Sequence, residues 1–202
     1  DLLLEDEFRG RTDIGITLQA YLRDSKQDLQ GLIAWAKKRG NPVTVRLVKG
    51  AYWDQETIKA MQKDWPQPVY NDKVATDANF EEMTQLLLEN HAYLYAAIGS
   101  HNVRSQARAI AIAETLNIPR RRFEMQVLYG MGDKLAKLLV DRGYRVRVYC
   151  PYGDLLPGMA YLIRRLLENT ANSSFIRQSS EEMPIEQLLA APVASGNDQL
   201  VY

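Results

Sequence analysis

Cysteine and histidine are scarce in this sequence. Its 202 residues include one cysteine, Cys150, and two histidines, His91 and His101. A single cysteine excludes an intramolecular disulfide, and so few soft ligands leave little from which to build a zinc site or a Ser-His-Asp triad. We therefore expect no metal, and a reducing compartment such as the cytoplasm.

The sequence also has no excess charge of one sign and no long apolar run. Its 25 basic and 25 acidic residues cancel, so electrostatics gives no reason to expect nucleic acid or an anionic membrane as the main partner. No apolar run approaches the roughly 20 residues that cross a bilayer. The N-terminus lacks the features of a signal peptide and an initiator Met, so we expect a piece of a longer protein.

Five short, β-rich apolar runs are present, and each is followed by a segment with helical spacing. The predicted strands are 14–21, 43–48, 92–98, 123–128 and 145–149. The predicted helices are 25–38, 57–63, 79–90, 103–116, 134–141 and 156–169. This alternation predicts an α/β fold with a parallel sheet and helices outside it. Polar, weakly patterned sequence follows, so we expect a domain over 1–178 and a linker or tail over 179–202.

Two architectures fit this alternation, a doubly wound open sheet and a (β/α)8 barrel. The first would carry the G-x-G-x-x-G fingerprint after its first strand, and the sequence lacks it. The second is favoured because barrels build their sites at the C-terminal strand ends, where polar residues lie here: Gln19, Arg46, Lys49, Ser100, His101, Asn102, Gln126 and Tyr149. A barrel has eight strands, so we predict that this chain supplies about the last five βα units of one.

At the end of the second predicted strand lies the densest candidate cluster, Arg46-Leu47-Val48-Lys49-Gly50-Ala51-Tyr52-Trp53-Asp54. Burying Arg46 and Lys49 there is costly unless an anion or another acceptor meets them. Gly50 would let a ligand approach the backbone, and Tyr52 and Trp53 offer flat faces. Two interpretations stay open: the cations hold a ligand, or they pair with carboxylates of neighbouring strands. Lys49 is also where a Schiff-base aldolase-type barrel would place its nucleophile.

The third predicted strand is followed by three hydrogen-bonding side chains, Ser100, His101 and Asn102. Such a group at a strand mouth suits a polar ligand or a phosphate near the start of the next helix. The alternative is that Ser100 or Asn102 simply caps that helix. Both interpretations remain open on the sequence.

The last predicted helix is almost entirely apolar, yet it carries the adjacent Arg164 and Arg165 together with Glu168. Two neighbouring guanidinium forks can hold a carboxylate in a fixed orientation. Alternatively, Arg164 and Glu168 are four residues apart and can form an ordinary surface pair. Tyr149 ends the preceding strand, and it would lie close by as a wall for an apolar ring.

The order of these motifs resembles the proline dehydrogenase family, over roughly residues 12–178. The resemblance is strongest to the proline dehydrogenase domain of bifunctional bacterial proline utilisation flavoenzymes. Six segments carry it: Arg46-Leu47-Val48-Lys49-Gly50-Ala51-Tyr52-Trp53, Pro68-Val69-Tyr70 with Lys73 and Thr76-Asp77, Ser100-His101-Asn102, Phe123-Glu124-Met125-Gln126-Val127-Leu128-Tyr129-Gly130-Met131-Gly132, Arg147-Val148-Tyr149-Cys150-Pro151-Tyr152-Gly153 and Tyr161-Leu162-Ile163-Arg164-Arg165-Leu166-Leu167-Glu168-Asn169-Thr170.

The resemblance implies a distorted (β/α)8 barrel that holds FAD at its C-terminal strand ends. It implies oxidation of L-proline to 1-pyrroline-5-carboxylate, with hydride transfer to the flavin. In that case Arg164 and Arg165 would clamp the proline carboxylate, and Glu168 would hold the pair in place. Tyr52 and Tyr149 would line the substrate ring and set the face that it turns toward the flavin.

By the same resemblance, Arg46 would lie at the reactive nitrogen of the flavin, and Leu128 would contact the isoalloxazine. The rest of FAD would be held by Gln19, Val48, Gly50, Trp53, Lys73, Thr76, Ser100, His101 and Asn102. The sequence departs from the family at Asn71, where relatives often have a hydroxyl residue. It also lacks a lysine and an aspartate that the family supplies from earlier strands.

The resemblance implies several partners. Besides L-proline, these are a quinone that accepts the electrons, peripheral contact with the inner face of the membrane, and an aldehyde dehydrogenase module of the same parent chain. We expect no nucleic acid partner for this region and a cytoplasmic location. Two alternatives stay open: an incomplete barrel piece without catalysis, and the aldolase-type barrel that uses Lys49.

Overall fold

The computed structural model describes residues 4–170 and 184–193, so most of the predicted tail lies outside the described residues. Helices and strands alternate along the chain. In order they are α1 (Asp6–Arg9), β1 (Gly15–Gln19), α2 (Ser25–Arg39), β2 (Val43–Val48), α3 (Trp53–Gln62), α4 (Lys73–Glu89), β3 (Leu94–Gly99), α5 (Val103–Thr115), β4 (Glu124–Leu128), α6 (Asp133–Asp141), β5 (Arg145–Tyr149), α7 (Leu155–Thr170) and α8 (Ile185–Leu188).

The five strands form one sheet in the order β1-β2-β3-β4-β5, and every adjacent pair is parallel. The predicted α/β class and parallel sheet are thereby confirmed. The sheet is open within the described residues, with β1 and β5 at its edges, so these residues do not form a closed barrel. Closure needs strands on both edges to meet, and five strands are too few for the eight-stranded geometry.

Two helices begin earlier than their apolar periodicity indicated. Helix α4 begins at Lys73 rather than at 79, because the side chain of Asp72 accepts a hydrogen bond of 2.9 Å from the Val74 N–H and caps the first turn. Helix α3 begins at Trp53 rather than at 57. In each case the first turn lies before the apolar stripe from which the helix was predicted.

The core lies between the sheet and the helices on one of its faces. Along β2, buried residues alternate with half-buried ones, as expected for a strand with one packed face. Val45 and Leu47 pack with Phe80 and Met83 of α4 in one cluster of buried side chains. Each such side chain contributes roughly 1.5–3 kcal/mol on burial. The other face of the sheet carries Arg46 and further polar side chains, and it is there that a site can be built.

Arg39, at the end of α2, is only 2% exposed and ties the N-terminal segment to the sheet. Its guanidinium donates hydrogen bonds to the carbonyl oxygens of Phe8, Arg11, Asn41 and Pro42. We expect Arg39→Met to lower the free energy of unfolding by about 3 kcal/mol, because four partly buried carbonyl groups lose their charged donor. Urea unfolding measures this. Lys38→Met, at the exposed preceding position, is the matched control and should change stability little.

No helix in the described part of the chain is both long and apolar enough to cross a membrane. Within the same residues, no group of three or more His, Cys, Asp or Glu side chains is arranged to hold a metal ion.

Candidate active site at the C-terminal strand ends

The register of the parallel strands brings two rows of residues into line across the sheet. One row runs through Gln19, Val48, Gly99, Gln126 and Arg147, which are partners on successive strands. Because the carboxyl ends of parallel strands meet at one edge of a sheet, residues distant in sequence become neighbours here. The strand-end residues predicted from the sequence therefore share one edge.

A second row of partners, two residues earlier on each strand, contains Arg46 and Glu124 together with Thr17, Ala97 and Arg145. The two rows are joined by side chains. The Arg46 Nε–H donates to Gln126 Oε1 over 2.7 Å, and Gln126 Nε2 donates to Glu124 Oε1, also over 2.7 Å. Arg46 is thus held by an amide oxygen rather than by a carboxylate.

Glu124 is also held by Arg147, whose Nε and Nη2 donate to its two oxygens over 2.7 and 3.0 Å. Burial of this carboxylate pushes its pKa upward, but the hydrogen bonds from Arg147 and Gln126 outweigh it and hold the pKa of Glu124 below its usual value. Glu124 is therefore an anion at neutral pH. The hydrogen bonds to Glu124 in turn raise the pKa of the Arg147 guanidinium.

Arginine and tyrosine side chains from β5, α7 and the turn after β2 meet at the same strand ends. The Arg46 guanidinium lies 5.6 Å from the centre of the Tyr149 ring, and Tyr149 lies 6.3 Å from Tyr161 of α7. The Arg165 guanidinium lies 5.3 Å from the Tyr161 ring. Cation–π and ring contacts of this kind each contribute roughly 0.5–1.5 kcal/mol. They connect Arg165, Tyr149 and Arg46 in one surface.

The other predicted clamp residue, Arg164, reaches a different ring. Its guanidinium lies 4.9 Å from the centre of the Tyr52 ring, which is 37% exposed. The geometry therefore brings Arg164 against Tyr52, which was predicted to line the substrate, whereas Arg165 contacts Tyr161, to which the sequence assigned no such role. The side chain of Glu168 lies outside the described residues, so its predicted support of the pair stays a prediction.

His101 is built into the site by its ring. The Leu128 N–H donates to His101 Nε2 over 2.8 Å, so the neutral ring carries its proton on Nδ1, which is then a donor. Burial, and in second place the charge of Arg165, lower the pKa of His101 below its ordinary value. Both effects, like the Leu128 hydrogen bond, favour the neutral imidazole.

This lowered pKa predicts a pH dependence of stability. The pKa of an unperturbed histidine is about 6.5, so just below that pH the unfolded chain binds more protons than the folded one. The contribution of His101 to the free energy of unfolding should therefore be complete above about pH 6.5 and should be lost as the pH falls below that value. We expect His101→Gln, whose side-chain oxygen can still accept from Leu128, to flatten the slope of unfolding free energy between about pH 5 and 6.5.

Unfolding titrations at a series of pH values measure that slope. The matched control is His91→Gln, which replaces the other histidine of the sequence and leaves the Leu128 contact intact. A wild-type slope in His101→Gln would contradict this account of His101.

Ser100 and Asn102 both act locally on helix α5. Asn102 Oδ1 accepts from the Ser105 N–H over 3.3 Å as the N-cap of the helix, and Ser100 Oγ accepts from the Asn102 N–H over 3.1 Å. The capping interpretation left open by the sequence therefore holds for Asn102. These contacts do not decide whether the two side chains also contact a ligand, and that role stays a prediction.

The two lysines near the start of α4 share one carboxylate. Lys49 Nζ lies 2.6 Å from Asp77 Oδ1, and Lys73 Nζ lies 2.8 Å from Asp77 Oδ2. Burial lowers the pKa of Lys49, whereas the ion pair with Asp77 opposes that effect. Lys49 is thus held in an ion pair, the structural alternative to a ligand-binding or Schiff-base lysine. Thr76, one residue before Asp77, is buried.

The turn after β2 is shaped by Gly50 and Tyr21. Gly50 has φ +124°, and the Tyr21 ring lies where a side chain at residue 50 would be. Burial, followed by the charges of Glu56 and Tyr52, raises the pKa of Tyr21 to about 12. The Trp53 Nε1–H donates to the Tyr70 carbonyl over 2.8 Å, which fixes the indole while leaving part of its face exposed.

A groove of about 580 Å³ lies beside this turn, between α3 and the loop that follows it. It is lined by Trp53, Thr57, Ala60, Met61, Asp64, Trp65, Gln67 and Asn71. Of the residues predicted for the site, the groove contains Trp53 alone. The groove is therefore an extension of one side of the candidate site and does not coincide with the arginine and tyrosine surface.

Three contributors to the site were not assigned a role from the sequence: Gln126, Glu124 and Asp77. Gln126 was noted as a polar strand-end residue without a task, and Glu124 was not singled out. The available signal was the alternation along β4, which puts Glu124, Gln126 and Leu128 on one face. A buried glutamate is costly unless it is paired, and here it is paired with Arg147.

A parallel α/β sheet with a cationic and aromatic surface at its carboxyl edge is typical of α/β enzyme scaffolds, which build their sites at that edge. Within that class, the family model described as proline dehydrogenase matches residues 1–178. The chain belongs to the proline dehydrogenase family.

Relatives agree with this assignment. The chain is 34% identical over 202 residues to the bifunctional protein PutA of Klebsiella aerogenes, covering 96% of this chain and 15% of that protein. It is 32% identical to proline dehydrogenase 1 of Bacillus subtilis (strain 168), covering 81% of this chain and 47% of that protein. The chain therefore spans less than half the length of these relatives.

Solved structures are similar as well. The crystal structure of proline utilization A from Bdellovibrio bacteriovorus, inactivated by N-propargylglycine, is 51% identical with a TM-score of 0.92, over 95% of this chain and 20% of that one. The crystal structure of the D778Y mutant of Bradyrhizobium japonicum proline utilization A is 34% identical with a TM-score of 0.84. The match covers 94% of this chain and 20% of that one.

Proposed function

We propose that the protein containing this chain oxidises L-proline to 1-pyrroline-5-carboxylate with FAD as its cofactor. The observation that carries the proposal is the surface on which Arg164, Arg165, Arg46 and Tyr149 meet at the strand ends of a member of the proline dehydrogenase family. Proline is a small zwitterion with an apolar ring, and this surface offers it guanidinium groups and aromatic walls.

The residues divide the task of orienting such a substrate. Arg164 and Arg165, adjacent on α7, present two planar forks to the carboxylate, which fixes direction as well as charge. Tyr52 and Tyr149 offer ring faces to the pyrrolidine. Holding the substrate in one orientation contributes several kcal/mol to a reaction that depends on a defined approach. Glu168, which belongs to the same family motif on α7, is proposed to hold the two arginines in place.

The donor set fits FAD. A flat, electron-accepting ring attached to a pyrophosphate needs cations, hydrogen-bond donors and an aromatic face, and the strand ends supply all three. When bound, FAD supplies the acceptor for the hydride. We propose that Arg46 lies at the reactive nitrogen of the isoalloxazine ring and that Leu128 contacts that ring. The remainder of FAD would be held by Gln19, Val48, Gly50, Trp53, Lys73, Thr76, Ser100, His101 and Asn102. His101 would donate a hydrogen bond to FAD through its Nδ1–H.

We also propose that further strands complete a (β/α)8 barrel around this site. The support is physical: the open edges β1 and β5 present unpaired backbone groups, and Ile16 and Val148 on them are about half exposed. Exposed strand edges of this kind are usually paired or covered. A non-catalytic role for the region is the second candidate, since an open five-stranded sheet is an incomplete site.

The proposed partners follow from the family and its relatives. A quinone would take the electrons, with peripheral contact between the protein and the inner face of the membrane in the cytoplasm. The bifunctional naming of the PutA relatives supports a second catalytic module, proposed as an aldehyde dehydrogenase, in the same parent chain.

The test is a visible absorbance spectrum of the purified protein before and after anaerobic addition of L-proline. Flavin bands that bleach with proline support cofactor and substrate together. A colourless protein that also fails to take up added FAD would contradict the flavin and favour the non-catalytic role. Bands that persist after proline would contradict the substrate while keeping the cofactor.

A further inference from the structure

Glu124 is a carboxylate buried beneath the candidate site. It is 1% exposed, and its Oε1 accepts from both Gln126 Nε2 and Arg147 Nε. In the two rows of strand partners that cross the described sheet, it is the sole carboxylate. Burying a charge is costly, and the ion pair with Arg147 already compensates the charge of Glu124. The hydrogen bond from Gln126 is not needed for that purpose. The second contact therefore calls for a reason.

The reason lies in the two ends of the Gln126 amide. One end is an acceptor and the other a double donor. Glu124, as an anion, can only accept, so the NH2 group must face it and the oxygen must face Arg46. If the amide were turned over, its oxygen would meet the carboxylate and its NH2 group would meet the Arg46 Nε–H. Both contacts would be repulsive, so Glu124 sets the orientation of Gln126.

The arrangement also preserves the charge of Arg46. Gln126 gives the guanidinium a neutral acceptor 2.7 Å from Nε, so Arg46 is held in place without being neutralised by direct contact with a carboxylate. The negative charge of Glu124 is instead compensated by Arg147, which donates to both of its oxygens. Arg46 thus keeps a positive charge above the Tyr149 ring for a ligand.

We propose that Glu124 is a positioning residue, which places the Arg46 guanidinium at the strand ends by fixing the orientation of the Gln126 amide. This inference rests on the proposed function, because Arg46 is the cation proposed to lie at the flavin. In this proposal Glu124 acts through Gln126 and Arg46, and Arg46 is the residue proposed to contact the cofactor.

The test is the two-electron reduction potential of the flavin bound to the protein. In Glu124→Met the acceptor is lost and Gln126 is free to turn, so Arg46 leaves its place and the reduced state loses a nearby cation. We expect a potential that is more negative by about 30 mV, which corresponds to a tenfold change in the two-electron equilibrium constant. Removing an anion without moving Arg46 would shift the potential in the opposite, positive direction.

Three further variants separate positioning from a structural role. Glu124→Gln keeps an oxygen that can accept from Gln126, so it should recover most of the wild-type potential. In a Gln126→Leu background, Glu124→Met should add no further negative shift, because the connection to Arg46 is already broken. Glu81→Gln is the matched control: Glu81 is also largely buried and paired with an arginine, Arg104, but lies on α4. Its potential should be that of the wild type.

A wild-type or more positive potential in Glu124→Met, or additive shifts in the double variant, would overturn the proposal. If Glu124→Met does not fold, Gln126→Leu breaks the same connection, and an unchanged potential there is equally decisive. Failure of the proposed function is seen separately, as wild-type protein that does not bleach with proline. If the protein takes up no flavin, a crystal structure of Glu124→Met with Arg46 still bonded to Gln126 overturns the positioning role.

Discussion

Replacing Arg165 by methionine is expected to lower kcat/KM for L-proline by about 100-fold, the equivalent of roughly 3 kcal/mol. The substitution removes a planar donor that, in the proposed function, meets the substrate carboxylate, while its length and apolar stem are kept. Most of the loss should appear as a higher KM, since a carboxylate contact exists before and during the reaction. Steady-state kinetics with a quinone or dye acceptor measure both constants.

Two further variants make the interpretation specific. Arg165→Lys keeps the charge but not the fork, so it should fall between the wild type and Arg165→Met. Arg121→Met, at an exposed position outside the site, is the matched control and should leave both constants unchanged. Wild-type kcat/KM in Arg165→Met would refute the carboxylate clamp without affecting the flavin assignment, which the absorbance spectrum tests.

Gly50→Ala is expected to lower the free energy of unfolding by about 4 kcal/mol, which for a protein of this size shifts the midpoint of thermal unfolding by roughly 10 °C. Two costs add. The backbone at φ +124° strains any L side chain. A Cβ there would also lie 2.4 Å from Cγ of Tyr21, whose ring is 3% exposed and has little room to move.

The two costs can be measured apart. Gly153 has a similar backbone, with φ +143°, but nothing within 4 Å of an added Cβ, so Gly153→Ala should carry the strain without the overlap. Tyr21→Ala should relieve part of the loss in a Gly50→Ala background and none in a Gly153→Ala background. Thermal unfolding of the four variants decides this. Equal losses at the two glycines would show that the Tyr21 contact is unimportant.

Much of the fold could be predicted because its signals are local. The five strands appear at the five predicted runs, since the alternation of buried and half-buried residues along β2 is a property of consecutive residues. The differences lie at helix starts: α4 begins six residues before its predicted stripe because Asp72 caps it, and a side-chain cap is not part of the apolar periodicity. Whether the sheet closes into a barrel depends on the pairing of its two edge strands, which no local pattern decides.

The candidate site divides in the same way. Arg46, Arg164, Arg165 and Tyr149 were identified by motif, because the types and order of these residues are written in the chain. Which group each one contacts was not predicted. The structure adds an ion pair between Lys49 and Asp77 and a helix cap by Asn102, and the ligand role of Asn102 stays a prediction.

By itself, the sequence determined the elements, their order and the residues available for chemistry, because these depend on side-chain type and short-range spacing. The tertiary structure alone decided that Arg46 meets Gln126, 80 positions away, and that His101 accepts from Leu128, 27 positions away. Such contacts arise from the register between parallel strands and the seating of loops over their ends. Both are set by packing of the whole sheet rather than by any local stretch of residues.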